Sequence, residues 1–323
     1  MSHLYIYSPS SAVRDKTAFR RGIAYLKAQG HEVEVDFDAL SSAKRFAGDD
    51  ATRLAAIHRA AASGADVALT ARGGYGLTRI LGHIKYAQLS KAITRGTQFV
   101  GFSDFTALQL ALLAKTGATT WAGPSVCDDF GTEVEADGSP DVVMQGCFDD
   151  FLAGQGEGAG WRLAPQRGTN VAGFALGPHA ADASTSDLTI RKATLWGGNL
   201  CVLASLIGTP YFPQTRGGVL FLEDVGEHPY RIERMLTQLL HAGVLARQKA
   251  LVLGQFTGYK AASNDKGFKF ETVVQWLRKQ VKVPILTNLP MGHVPTKVML
   301  PVGREVTLTL QGKDAFLLWE HRH

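Results

Sequence analysis

From His3 to Gly117 the chain alternates short apolar runs with amphipathic stretches, and nothing else in the sequence restricts the fold as much. "HLYIYSPS" (3–10) reads as a strand running into a turn, and "KTAFRRGIAYLKAQG" (16–30) as a helix closed by glycine. "HEVEVDF" (31–37) alternates like a strand, and "DDATRLAAIHRAAASG" (49–64) is helical, with Asp at its start and Gly at its end. "ADVALTA" (65–71) is a short buried strand, followed by a Gly-rich turn and another helix. "TQFVGFS" (97–103) is again a strand, and "DFTALQLALLAKTG" (104–117) a helix. Strands joined through helices predict an α/β domain, a parallel sheet covered on both faces. In such sheets ligands bind beyond the carboxyl ends of the strands.

The pattern then changes. Residues 153–185 are rich in Gly, Ala, Pro and Thr, lack a helical period, and read as a linker with a short extended piece or two. The second half is richer in strands: "KATLWGGNL", "GGVLFLEDV", "KALVLGQFTGY", "VPILTNLPMGH" and "REVTLTLQG", with helices at 230–243 and 270–281. The expected organisation is an α/β domain over 1–150, a linker or insertion over 151–190 and a β-rich domain over 191–323. Pockets often form between domains, so chemistry is sought there.

Composition serves mainly to exclude. Net charge is +5, but the basic residues are scattered and form no tract of the kind that binds nucleic acid. The N-terminus lacks the basic and apolar segments of a signal peptide. No apolar run approaches the roughly 18 residues of a membrane span. Cys127, Cys147 and Cys201 are too irregularly spaced for a disulfide framework or a zinc site, and no His or Cys pair has metal spacing. A soluble, reduced, cytoplasmic protein without metal or cofactor is expected.

Several residues could carry chemistry. Ser103, in "VGFSDFTALQLAL", follows an apolar strand and opens a helix. Ser is a favoured N-cap and Asp104 suits a first turn, so capping explains it. The same geometry also presents a nucleophile, with helical N–H groups ready to stabilise an oxyanion. Phe105 stands where the hydrolase elbow G-x-S-x-G needs its second glycine, so that motif is absent. A serine nucleophile needs a base and an orienting acid. Of ten histidines, His293 stands out in the Pro-rich loop "LPMGHVPTKVMLP". "VLFLEDVGEHPYRIERML" offers Glu223 and Asp224, which alternate to opposite faces of a strand, and Glu227 in the loop beyond. Glu227 has a plainer reading as the partner of Arg231 or Arg234.

Two glycine-rich turns remain. "ARGGYGLTRIL" (71–81) can cradle an anion with backbone N–H groups, or Gly73 and Gly74 can offer one to an oxyanion, although it fits neither dinucleotide nor P-loop spacing. "LWGGNL" (195–200) sets Trp196 and Asn199 at a second tight turn, where Trp196 could equally be a core residue.

Taken in order, "RGGYG" (72–76), "GFSDFTALQ" (101–109), "LWGGNL" with "LIGTPY" (206–211), "LEDVGEHPYRIERML" (222–236) and "GH" (292–293) resemble the LD-carboxypeptidase family of muropeptide-trimming serine peptidases. The microcin C immunity peptidases form a related branch. The likeness runs from about residue 4 to 310, and 222–250 looks most like the muropeptide-recycling branch. The resemblance implies a triad of Ser103, Glu223 and His293, with the backbone N–H groups of Gly74 and Asp104 as oxyanion hole. It also implies a flavodoxin-like N-terminal domain, a β-rich, swivelling-barrel-like C-terminal domain, a site between them and a homodimer. The stretch 162–194 is longer than the family pattern, and an insertion bordering the cleft would alter substrate choice.

The expected activity is release of terminal D-Ala from a cytoplasmic murein tetrapeptide. Arg72, Tyr75, Trp196, Asn199 and Arg231 are candidates for holding substrate; Arg72 or Arg231 could take the terminal carboxylate, or each could be a structural ion-pair partner. One rival is a microcin C-type peptidase acting on peptidyl- or acyl-adenylates, with Trp196 under the adenine. Another is a non-catalytic module holding an anion on the RGGYG loop, with Ser103 as a cap.

Overall fold

The computed structural model describes residues 1–133, 140–163 and 187–319. The strands are β1 (His3–Tyr7), β2 (Glu32–Val35), β3 (Val67–Thr70), β4 (Gln98–Gly101), β5 (Thr120–Ala122), β6 (Gly158–Arg162), β7 (Leu188–Asn199), β8 (Val219–Val225), β9 (Ala250–Thr257), β10 (Ile285–Leu286), β11 (Leu300–Val302), β12 (Glu305–Gln311) and β13 (Asp314–Leu318). The α-helices are α1 (Lys16–Ala28), α2 (Asp50–Ala62), α3 (Tyr86–Thr94), α4 (Thr106–Thr116), α5 (Val142–Leu152), α6 (Leu200–Ser205), α7 (Pro229–His241) and α8 (Phe270–Gln280). The chain divides into two compact units. Unit 1 comprises Met1–Gln155, Gly208–Pro213 and Pro295–Gly303; unit 2 comprises Gly156–Ile207, Gln214–Val294 and Arg304–His323.

Unit 1 is built on a six-stranded sheet in the order β11-β5-β4-β3-β1-β2. Strands β1 to β5 run parallel, in the flavodoxin-like order, and β11 closes the edge antiparallel to β5. Leu4, Ile6, Leu69, Phe99 and Val100 are buried, as strands covered on both faces must be. Asp15 caps α1 by accepting from the Thr17 and Ala18 N–H groups, and Asp49 caps α2 through Thr52. Helix α4 has no polar face: every residue from Thr106 to Leu112 is buried. Each fully buried leucine there contributes roughly 1.5–3 kcal/mol of apolar burial. The loops after β1, β3 and β4 all lie at the carboxyl edge of this sheet, where an α/β fold presents its chemistry.

Unit 2 holds a seven-stranded sheet in the order β10-β9-β8-β7-β12-β13-β6. The run from β7 to β10 is parallel; β12, β13 and β6 join antiparallel. Its two edges are bridged by side chains: Trp161 Nε1 donates to the Thr287 carbonyl at 3.0 Å, and Asn288 Nδ2 to the Arg162 carbonyl at 2.8 Å. The sheet therefore curls in a barrel-like way and shields edge strands that would otherwise pair with other chains.

Some local expectations need adjusting. The RGGYG loop opens a 3-10 turn at Leu77–Arg79 rather than an α-helix, so it lacks the aligned dipole that favours phosphate. Of "VPILTNLPMGH" only Ile285–Leu286 is strand. The rest is a loop fastened along β9 by Leu289 N–H to Leu253 O and Gln255 N–H to Met291 O. The 162–194 stretch lies largely outside the described residues, and its described end, Leu188–Thr194, is the first half of β7.

Candidate active site

In unit 1, Ser103 follows β4 and has φ 63°, a left-handed value that costs a non-glycine residue about 1–2 kcal/mol. It caps neither adjoining helix: Phe102 is the N-cap of the 3-10 turn Ser103–Phe105, and Phe105 that of α4. The capping explanation therefore does not hold. Non-glycine residues held in this region cluster at functional sites.

Gly73 explains how the neighbouring loop approaches. A Cβ there would lie 2.8 Å from Ser103 Cβ and 3.0 Å from its Oγ, so only glycine lets the two turns touch. The RGGYG loop is pinned residue by residue. Tyr75 N–H donates to Ser11 Oγ at 2.9 Å, Arg53 Nη1 donates to Gly76 O at 2.8 Å, and Leu77 N–H donates to Asp104 Oδ2 at 2.9 Å. The same Asp104 oxygen accepts from Ser10 Oγ at 2.7 Å. One buried carboxylate thus ties the loops after β1, β3 and β4 together beside Ser103. Burial pushes the Asp104 carboxyl above the ordinary range.

In unit 2, His293 Nδ1 lies 3.0 Å from Glu223 Oε2. The Glu223 side chain is 1% exposed and the imidazole 24%. Glu223 comes from the carboxyl end of β8, and His293 from the loop fastened on β9. Gly292, at φ 144°, allows the approach: a Cβ there would stand 2.9 Å from Gln255 O and 3.4 Å from Glu223 Cβ. A carboxylate oxygen can only accept, so Nδ1 is the donating nitrogen, and in the neutral imidazole Nε2 is then the accepting one.

Asp224 points elsewhere, as strand alternation requires. It accepts from Asn199 Nδ2 at 3.0 Å and from the Cys201 N–H at 2.9 Å. Burial and the adjacent Glu223 carboxyl push its pKa up to about 6. Glu227 pairs with Arg231 one helical turn on, in a half-exposed contact.

The candidate substrate contacts divide sharply. Trp196 does not present a face to a ligand: it is 0% exposed, and its indole N–H donates to Gln248 Oε1 at 2.9 Å. The expectation of an aromatic platform there is corrected, because β7 is a central strand and directs this ring into the core of unit 2. Asn199 is 5% exposed and caps α6 by accepting from the Val202 N–H at 3.1 Å, so its amide is committed to structure. Arg231 is taken up by Glu227. Tyr75 is 43% exposed, with Arg45 5.6 Å from its ring centroid. Arg72 is half-buried and makes no ion pair among the described residues. Its Nη1 lies 3.2 Å from where a Cβ on Gly74 would stand. Gly74, the other expected oxyanion residue, is exposed on the same loop.

Two features escaped the sequence reading. Arg53, 0% exposed, supports the RGGYG loop from beneath while pairing with Asp50. Lys297, 2% exposed, pairs with the fully buried Asp129. Pairs so distant in sequence leave no local signal. No group of three or more His, Cys, Asp or Glu among the described residues could hold a metal ion.

Comparison with known proteins identifies the family. Residues 4–123 match the LD-carboxypeptidase N-terminal domain, and residues 192–308 the LD-carboxypeptidase C-terminal domain. The murein tetrapeptide carboxypeptidase of Pseudomonas aeruginosa is 28% identical over 241 residues, 73% of this chain and 70% of its own. The crystal structure of muramoyltetrapeptide carboxypeptidase from Oxalobacter formigenes is similar at 35% identity and a TM-score of 0.83, covering 100% of both chains. The microcin C7 self-immunity protein shares the fold at 20% identity and a TM-score of 0.81, over 100% of this chain and 97% of its own. Matched in both domains and along its whole length, the chain belongs to the LD-carboxypeptidase family.

Proposed function

We propose that the chain is a serine LD-carboxypeptidase that releases terminal D-Ala from murein tetrapeptides in the cytoplasm, working as a homodimer. The Glu223–His293 hydrogen bond is the observation that carries the reading, because it leaves Nε2 as the acceptor a serine nucleophile needs. Ser103 on its left-handed turn is the matching nucleophile.

Ser103 Oγ attacks the carbonyl carbon of the diamino acid that precedes D-Ala, and His293 Nε2 takes the hydroxyl proton. The backbone N–H groups of Gly74 and Asp104 receive the oxyanion; each such donor is worth roughly 3 kcal/mol of barrier. Collapse breaks the C–N bond, and His293 returns its proton to the departing amine of D-Ala. Water, deprotonated by His293, then attacks the Ser103 ester; the ester C–O bond breaks, His293 returns the proton to Ser103 Oγ, and the tripeptide carboxylate leaves. Arg72 is assigned to the substrate's terminal carboxylate, since it carries no competing ion pair among the described residues. Tyr75 lies on the same loop, exposed where a peptide would pass.

A microcin-type nucleotide conjugate is the less favoured substrate, because the ring expected beneath an adenine, Trp196, is buried. Incubation with a phosphonofluoridate, followed by peptide mass mapping, tests the chemistry. Labelling at Ser103 supports a serine hydrolase; a folded protein that stays unlabelled is a binding module. Parallel assays on murein tetrapeptide and on a peptidyl-adenylate then decide the substrate.

A further inference from the structure

We infer that the Asp104 side chain is a positioning residue for this hydrolysis: its buried carboxylate fastens the RGGYG loop to the serine turn and so holds the Gly74 N–H in place beside the N–H of Asp104 itself. The inference rests on the nucleophile and oxyanion donors proposed above, and adds a role for a group that touches no substrate. Every residue involved lies in unit 1.

Three observations carry it. The first is where the backbone groups of the loop go. Ser11 Oγ takes the Tyr75 N–H, Arg53 Nη1 takes the Gly76 carbonyl and Asp104 Oδ2 takes the Leu77 N–H. Among the described residues the N–H groups of Gly73 and Gly74 have no hydrogen-bond partner, and neither has that of Asp104. Donors left open on two touching turns are the groups a developing oxyanion can use. The second is the grip of one oxygen on two loops. Asp104 Oδ2 accepts from Leu77 N–H, after β3, at 2.9 Å and from Ser10 Oγ, after β1, at 2.7 Å, while its own backbone continues from Ser103, after β4. The third is direct contact. With no room for a methyl between Gly73 and Ser103, any shift of the loop is passed to the nucleophile.

Stability alone does not account for a carboxylate here. Asp104 is 2% exposed, so its charge costs desolvation, and apolar replacements of buried charges are often neutral or stabilising. Arg53, buried beneath the same loop and bonded to the carbonyls of Pro9 and Gly76, offsets part of that cost. What the carboxylate adds is a fixed spacing, because an apolar side chain could fill the volume but could not accept from Ser10 and Leu77 together. That spacing matters for oxyanion donors, which act only when aimed at the position the charge will occupy. Misplacement by about 1 Å can cost on the order of 100-fold in rate.

The test compares Asp104→Ala, which removes the acceptor and leaves the backbone N–H, with Asp104→Asn, which keeps the volume and one accepting oxygen. The second-order rate of Ser103 phosphonylation, kcat and KM for D-Ala release, and the melting temperature are measured together. For Asp104→Ala we expect a folded protein, unchanged KM, and phosphonylation and kcat falling together by roughly 100-fold. Asp104→Asn should recover both rates to within about tenfold of the wild type. A purely structural carboxylate would move the melting temperature and leave both rates intact in the folded variants; that result overturns the inference. An Asn variant as slow as the Ala variant would assign the effect to the lost charge and overturns it too. Should Asp104→Ala fail to fold, Ser10→Ala removes one of the two donors and keeps the carboxylate. It is expected to slow phosphonylation about three- to tenfold with KM unchanged, and an unaltered rate overturns the inference equally. A wild type that is labelled yet releases no D-Ala refutes the substrate reading and leaves the phosphonylation test standing. A folded wild type that is never labelled overturns both.

Discussion

The Glu223 carboxylate and the His293 imidazole meet at 3.0 Å, Oε2 to Nδ1, across 70 residues of chain. The contact selects one tautomer of the neutral ring and, in the proposed mechanism, would offer a counter-charge to the imidazolium. Glu223→Gln keeps the shape and removes the charge. We expect kcat to fall by roughly 10³- to 10⁴-fold with KM little changed, in steady-state assays of D-Ala release. A loss smaller than tenfold would mean that another acid orients His293.

Gly73 is a steric constraint on the turn that carries Ser103. Gly73→Ala would drive a methyl to 2.8 Å from Ser103 Cβ. Displacing one of the two turns should cost about 1–3 kcal/mol in stability and slow phosphonylation of Ser103. Denaturant titration and labelling kinetics check the two effects separately; unchanged labelling would show that the turn tolerates the shift.

The two candidate arginines should separate cleanly. Losing a charge-assisted hydrogen bond to a carboxylate costs roughly 1.5–3 kcal/mol, so Arg72→Gln should weaken productive binding about 10- to 100-fold. Arg231 is spent on a half-exposed pair with Glu227, a contact worth about 0–1 kcal/mol to stability. Arg231→Gln should leave kcat/KM near the wild-type value. Equal losses in the two variants would place the carboxylate elsewhere.

Much of this was legible locally. Asp49 and Gly64 bracket α2 with a cap and a stop, and "VLFLEDV" reads as β8 with its acids at the carboxyl end. The elements that escaped depend on distant partners. Strand β13 is defined by pairing with β12 and β6, and β11 by pairing with β5. The ambiguity at Ser103 could not be lifted from sequence, since a cap and a strained turn share the same residue pattern; the φ of 63° separates them. Trp196 misled for the opposite reason. Beside two glycines it reads as a turn residue, whereas the glycines lie within β7, paired with Phe221 and Leu222 of β8. Lys297 and Asp129, 168 residues apart, carry no local mark of their pairing.

Asp224 should leave a pH signature on stability. Its pKa rises from 3.8 to about 6 in the fold, so between these values the native state binds more proton than the unfolded chain. Its contribution is greatest below about pH 4 and is lost as pH rises through 6. A shift of about two units corresponds to roughly 3 kcal/mol. Denaturation of wild type and Asp224→Asn from pH 4 to 7 isolates it: the stability difference, wild type minus variant, should fall by that amount. A difference independent of pH would contradict the burial argument.

D-Ala release from purified murein tetrapeptide, by the wild type and by Ser103→Ala, tests the central claim most directly. We expect release by the wild type and its loss in a variant that melts at the same temperature. Release that survives in Ser103→Ala would contradict the nucleophile, and no release by a folded, phosphonylatable wild type would contradict the murein substrate.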